Sequence, residues 1–379
     1  MSSSLLAFCH DERPWLLELI HALVAIESPT DDKAAVDRCG ALLASRLTDI
    51  GARVTRVPQT TAGDHLVARF GTGPRQVLIV GHFDTVWPMG QLARMPIVER
   101  DGRLHGPGVL DMKAGIALGM LATRAVMARH PLDRAGITML WTTDEETGSD
   151  TSRALIEEEA RRSDAVLVLE PALAGGALKT ARKGIAQYQI TAHGISAHAG
   201  VDPRKGVNAI RELAQQVLAL DQVRDLDRGI SVNVGVMHGG TRSNVVPDHA
   251  TAEVDVRAVT LADAEMLDRT MHALTALTPG ARLEVTGGFN RPPMERSPGV
   301  VRLFTVAREV AEAMGARLEE GATGGGSDGN FTAALGVPTL DGLGAVGDGA
   351  HALHEHIELE PLTFRAALLA GVLERLVRE

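Results

Sequence analysis

Three short stretches constrain this chain more than anything else in it: "QVLIVGH" (76–82), "GITMLWTT" (136–143) and "DAVLVLE" (164–170). Each is a continuous apolar run without polar alternation, and each is far too short to span a membrane. Runs of this length suit strands buried on both faces, as in a mostly parallel sheet flanked by helices. Helical spacing at about 113–129 and 151–162 separates the runs, as βαβ crossovers require. Upstream, 14–26 and 32–51 also carry apolar residues at helical spacing, with Gly51 as a stop signal.

From about residue 184 the rhythm changes. A strand at 185–192, a helix at 205–220, strands at 230–238 and 250–258, a helix at 261–277 and a strand at 281–287 follow one another. The order βαββαβ is the ferredoxin-like arrangement. After the proline-rich "RPPMERSP" (291–298) the earlier pattern returns, with a helix at 299–314, a strand near 337–341 and a helix at 360–377. The expected fold class is therefore α/β. A mixed, mostly parallel sheet sandwiched by helices (1–182 and 293–379) is interrupted by an inserted α+β domain (183–292). A chain of 379 residues is long enough for both.

Charge and cysteine usage narrow the function classes. A net charge of −10 argues against nucleic acid and against an anionic membrane surface as partners. Cys9 and Cys39 have no metal-type spacing, and a reducing compartment is the simpler reading. The opening "MSSSLLAFCHDERPW" lacks a basic stretch and a sufficient apolar stretch for a signal peptide, so the expected location is the cytoplasm.

The chemistry-bearing residues sit at the ends of the buried runs. "QVLIVGHFD" ends in His82 and Asp84, "ITMLWTTDEE" in Glu145 and Glu146, and "DAVLVLEP" in Glu170. Open α/β sheets bind ligands beyond the carboxyl ends of their strands, so three strands deliver histidine and carboxylates to one edge. Asp111, in the glycine-rich turn "GPGVLDMKAG" (106–115), is a further candidate. Such a donor set suits Zn²⁺ or a similar divalent ion, and a pair of ions can activate one water while polarising a carbonyl. Near the C-terminus "GAHALHEHIEL" (349–359) offers His351, His354 and His356, among which spacing alone does not choose.

Eight segments in order resemble the M20 family of dizinc peptidases and deacylases. They are "GHFDTV" (81–86), "GPGVLDMKAG", "TTDEETGS" (142–149), "LEP" (169–171), "SAHAG" (196–200), "SNVVP" (243–247), "TGGGSDG" (323–329) and "GAH" (349–351). "TGGGSDG" and "RPP" (291–293) are similar to the glutamate carboxypeptidase branch in particular. The resemblance implies a zinc-peptidase-like catalytic domain with two Zn²⁺ per subunit, Co²⁺ or Mn²⁺ being acceptable substitutes. It implies that His82 and Glu170 complete different metal sites, that Asp111 bridges them ahead of a cis peptide, and that Glu146 and His351 are terminal ligands. His351 is preferred because Glu355 follows it four residues later, as in the family; His354 is the rival.

By the same resemblance Asp84 orients the His82 ring, and Glu145 is the general base. The inserted domain is implied to be a lid and homodimer interface. His198 there would reach a partner's site to stabilise the oxyanion, and Asn244, Arg257 and Arg291 would hold the substrate's α-carboxylate. The implied reaction is hydrolysis of an N-acyl or peptidyl amino acid with release of a C-terminal residue, glutamate first. Deacylation of the acetylornithine or succinyl-diaminopimelate type is the alternative. A serine hydrolase built on "GISAH" (194–198) is disfavoured because His198 replaces the last glycine of a nucleophile elbow. A non-catalytic binding protein is disfavoured because the base and all five metal positions carry suitable residues.

Overall fold

The computed structural model describes residues 2–378. The chain divides into two compact units: 1–180 with 296–322 and 327–379, and 181–295 with 323–326.

In the first unit the strand Arg75–His82 lies at the heart of a six-stranded sheet. Parallel neighbours Ala135–Thr142 and Ala165–Val168 flank it. Thr339–Leu340 adds a further parallel strand at one edge, while His65–Phe70 and Arg53–Val57 extend the other edge antiparallel. The stretch Val77 to Val80 is apolar throughout because it packs on both sides. Val77 and Ile79 join the core beneath helices Ala114–Met127 and Leu362–Arg378. Leu78 and Val80 join a second core with Ile156, Ala160 and Phe331. Successive strand residues point to opposite faces, so one run feeds two hydrophobic layers. The register His82 to Thr142 and Val80 to Val168 brings three strand ends to the same edge.

The second unit is a four-stranded antiparallel sheet in the order Ser231–Gly239, His249–Ala258, Gly184–His193, Arg282–Arg291. Helices Ala209–Asp221 and Leu261–His272 cover one face. Ala186, Tyr188, Ile190 and Ala192 alternate into that core with Leu213 and Leu267, as a one-sided sheet requires. Side-chain caps start both helices: Asn208 accepts from the Arg211 N–H and Thr260 from the Asp263 N–H.

Candidate metal centre

His82 ends the central strand and is 1% exposed. Its Nδ1 lies 3.1 Å from the Asp84 carbonyl oxygen and 3.4 Å from Asp84 Oδ1. An Nδ1–H donated there leaves the Nε2 lone pair facing outward, where Asp111 Oδ1 stands at 3.2 Å and Glu170 Oε1 at 3.7 Å. Asp84 is itself fixed, since its Oδ2 accepts from Thr30 Oγ1 at 2.8 Å and from the Glu146 N–H at 3.3 Å. The histidine and the acidic turn are thereby tied through one buried carboxylate.

Asp111 sits in the irregular turn Val109–Lys113, entered from Gly108 at φ 71° and followed by a cis peptide to Met112. Its other oxygen, Oδ2, is 3.3 Å from His351 Nε2, and His351 Nε2 is 3.2 Å from Glu146 Oε2. Asp111 therefore stands between the two histidines with one oxygen toward each. Glu145 and Glu146 share a single helical turn, Glu145–Thr147, at the end of the Ala135–Thr142 strand. Of the three C-terminal histidines the structure brings His351 to this cluster. His354 Nε2 lies 3.9 Å from Asp348 instead, and His356 Nδ1 lies 2.9 Å from the His354 carbonyl with its ring 5.1 Å from that of His105.

The cluster pairs two imidazoles with the carboxylates of Asp84, Asp111, Glu146 and Glu170. Its electrostatics call for positive charge. Burial works against a charged His82, yet Asp111, Asp84 and Glu170 hold its pKa well above the ordinary value. Asp111 and Glu146 push His351 up to about 10. Burial also opposes ionisation of Asp111, and the two histidines override it and hold that carboxyl low. Burial raises Glu146. Donor atoms of His82, Asp111 and Glu146 all fall within 4.8 Å of one another. Mixed nitrogen and oxygen donors in a deficit of positive charge fit a divalent transition ion.

The second unit carries the remaining expected residues. His198 pairs with Val245 in a two-stranded ribbon, and its Nδ1 accepts from the N–H groups of Gly200 and Val201 at 3.1 and 3.2 Å. Asn244 adjoins it, its carbonyl accepting from the Ala199 N–H at 2.9 Å. Arg257 donates to both oxygens of Asp255 at 2.8 and 2.7 Å, and Arg291 is buried. Arg182, not singled out in the sequence, donates to the carbonyls of Gly325 and Gly326 and so anchors the glycine run.

A mostly parallel α/β sheet that gathers histidines and carboxylates at its strand ends, joined to a ferredoxin-like unit, defines a metal-dependent hydrolase. The chain belongs to peptidase family M20/M25/M40, whose model matches residues 78–375. It is 33% identical to carboxypeptidase G2 of Pseudomonas sp. (strain RS-16) over 371 residues, covering 96% of this chain and 89% of that protein. It is 31% identical to a succinyl-diaminopimelate desuccinylase of Delftia acidovorans over 373 residues, covering 91% and 95%. Among solved structures it resembles aminopeptidase PepT of Bacillus cereus, with a TM-score of 0.80, 25% identity and coverage of 97% and 99%. No helix among the described residues is long and apolar enough to cross a membrane.

Proposed function

We propose that this hydrolase cleaves the amide bond of an N-acyl or peptidyl amino acid with two Zn²⁺ per subunit, releasing a C-terminal amino acid, glutamate first. The observation that carries the reading is Asp111, with one oxygen toward His82 and the other toward His351. A carboxylate presented to two imidazoles in this way suits a bridge between two ions. His82, Glu170, Glu146 and His351 would hold them from either side.

Bound divalent ions supply charge that polarises the scissile carbonyl and lowers the pKa of a water. The chain's own residues do the rest. Asp84 keeps His82 in the tautomer with Nε2 free. Glu145, adjacent to the ligand Glu146, takes the proton of the attacking water and returns it to the leaving amide nitrogen. His198 steadies the oxyanion across a homodimer, and Asn244, Arg257 and Arg291 hold the substrate's carboxylate. Arg257 is already oriented by Asp255.

Deacylation of the desuccinylase type remains the second reading, because identity to carboxypeptidase G2 and to the desuccinylase is nearly equal. A panel of acyl-glutamate, acyl-aspartate, acetylornithine, succinyl-diaminopimelate and dipeptides, read by released amino acid on zinc-loaded protein, separates the two. Chelation should abolish turnover and Zn²⁺ restore it. Glu145→Gln should lower kcat by at least ~100-fold, the low end for general acid–base catalysis, while zinc content is retained. Near-normal turnover in that variant would refute the assignment of the base.

A further inference from the structure

The geometry points to Glu355 as the positioning residue that binds three ligand-bearing segments into one metal centre; this rests on the dizinc reading above. Glu355 is 1% exposed and lies four residues beyond His351. Its Oε1 accepts from the N–H groups of Leu110 at 2.9 Å and Asp111 at 3.2 Å. Its Oε2 accepts from the N–H of Gly108 at 2.9 Å and from Nε1–H of Trp87 at 2.8 Å. The backbone carbonyl of Glu355 accepts as well, from the Gly106 N–H.

Each donor belongs to a segment with a ligand of its own. The turn 108–111 presents Asp111, and its N–H groups form a concave anion site of the kind that a carboxylate fills. Trp87 follows His82 and Asp84 on the chain leaving the central strand. Glu355 itself belongs to the loop of His351. One side chain therefore fixes the spacing of Asp111 to both histidines, and it does so without touching the water or the substrate. A backbone turn held by three hydrogen bonds to one buried carboxylate has no alternative partner if that acceptor is lost. The carboxylate is required, not merely its volume. In Glu355→Gln the amide oxygen still accepts two bonds, while its NH₂ faces two N–H donors.

The test is zinc affinity, measured by chelator competition on metal-stripped full-length protein, for wild type, Glu355→Gln and Trp87→Phe. Loss of a partner that orients metal ligands typically lowers affinity about 10- to 100-fold, which is the expectation for Glu355→Gln. Trp87→Phe, which cuts only the tie to the His82 segment, should show a smaller loss. Tryptophan emission should differ between wild type and Glu355→Gln, and that difference should vanish in a Trp87→Phe background. A Glu355→Gln protein with lowered melting temperature but unchanged zinc affinity would make Glu355 a packing residue only and overturn the inference. If Glu355→Gln does not fold, Trp87→Phe decides, and wild-type zinc affinity there overturns it. A wild-type protein that binds no zinc would instead refute the metal reading beneath it.

Discussion

Asp144, Glu145 and Glu146 stand side by side, and three adjacent carboxylates repel unless each has its own source of positive charge or hydrogen. Asp144 is buried, and its Oδ2 accepts from the Thr151 N–H at 2.6 Å, Thr151 Oγ1 at 2.7 Å and the Ser152 N–H at 3.3 Å. Its carbonyl closes the loop further by accepting from Ser149 N–H. The first acid thus shapes the turn that presents the other two. Asp144→Ala should destabilise the protein by about 1–3 kcal/mol, the cost of leaving buried donors unpaired, with a concurrent fall in kcat as the Glu145–Thr147 turn loosens. An unchanged denaturation midpoint would show that the loop finds other acceptors. At this scale the clustering of histidines and acids was legible in the sequence, because they follow buried runs. The contacts of Glu355 were not. Glu355 meets its partners some 244 positions away in sequence, and no spacing rule signals such a contact.

At the scale of elements, the central strands were legible for a physical reason. Burial on both faces leaves few polar residues in the runs, Thr138 among them, and that gives a plain signature. The antiparallel edge was not. His65–Phe70 is nearly all buried, yet it contains two polar residues whose partners are distant. His65 is bracketed by Thr143 and Thr151, and Arg69 by Thr138 and Glu159. Arg53–Val57 carries two arginines at an exposed margin, and no element is assigned to it from the sequence. The fit between elements also sets Glu170. At Gly115, in the first turn of Ala114–Met127, an added Cβ would stand 2.2 Å from the Leu169 carbonyl oxygen. Helix propensity alone favours Gly115→Ala by about 1 kcal/mol. Overpacking against backbone, which cannot rotate aside, costs about 1–3 kcal/mol and should win. The expected outcome is a lower denaturation midpoint and weaker zinc binding, since the strand end that carries Glu170 must shift. A stabilised variant with normal zinc affinity would show that the helix moves instead.

On the scale of the whole molecule, the insertion of one unit within the other has a simple geometric basis. The two ends of the inserted segment 181–295 lie side by side: Arg182 N–H donates to the Met294 carbonyl at 2.9 Å, and Met294 N–H donates back at 3.0 Å. Its core of Ile190, Val254, Val256, Leu213 and Leu267 is its own. A segment with adjacent ends and a private core should fold alone, so residues 181–295 expressed by themselves are expected to unfold in one cooperative transition. Glu212 gives that transition a pH signature. Its side chain is fully buried and accepts from Gln216 Nε2 at 2.7 Å and from the N–H groups of Leu277 at 3.0 Å and Thr278 at 2.6 Å. Burial opposes its ionisation, but these donors prevail and hold its pKa below the ordinary 4.5. A depressed folded-state pKa contributes stability that is complete above the unfolded value and is lost as pH falls through the folded one. Urea midpoints of the fragment should therefore be flat above about pH 6 and decline below about pH 5, where an unfolded-state glutamate begins to bind protons. Glu212→Gln should lower the midpoint at neutral pH and reduce that acid decline. A fragment whose midpoint falls equally with and without Glu212 would assign the acid sensitivity to other carboxylates. A fragment with no cooperative transition would mean that the second unit depends on the rest of the chain for its fold.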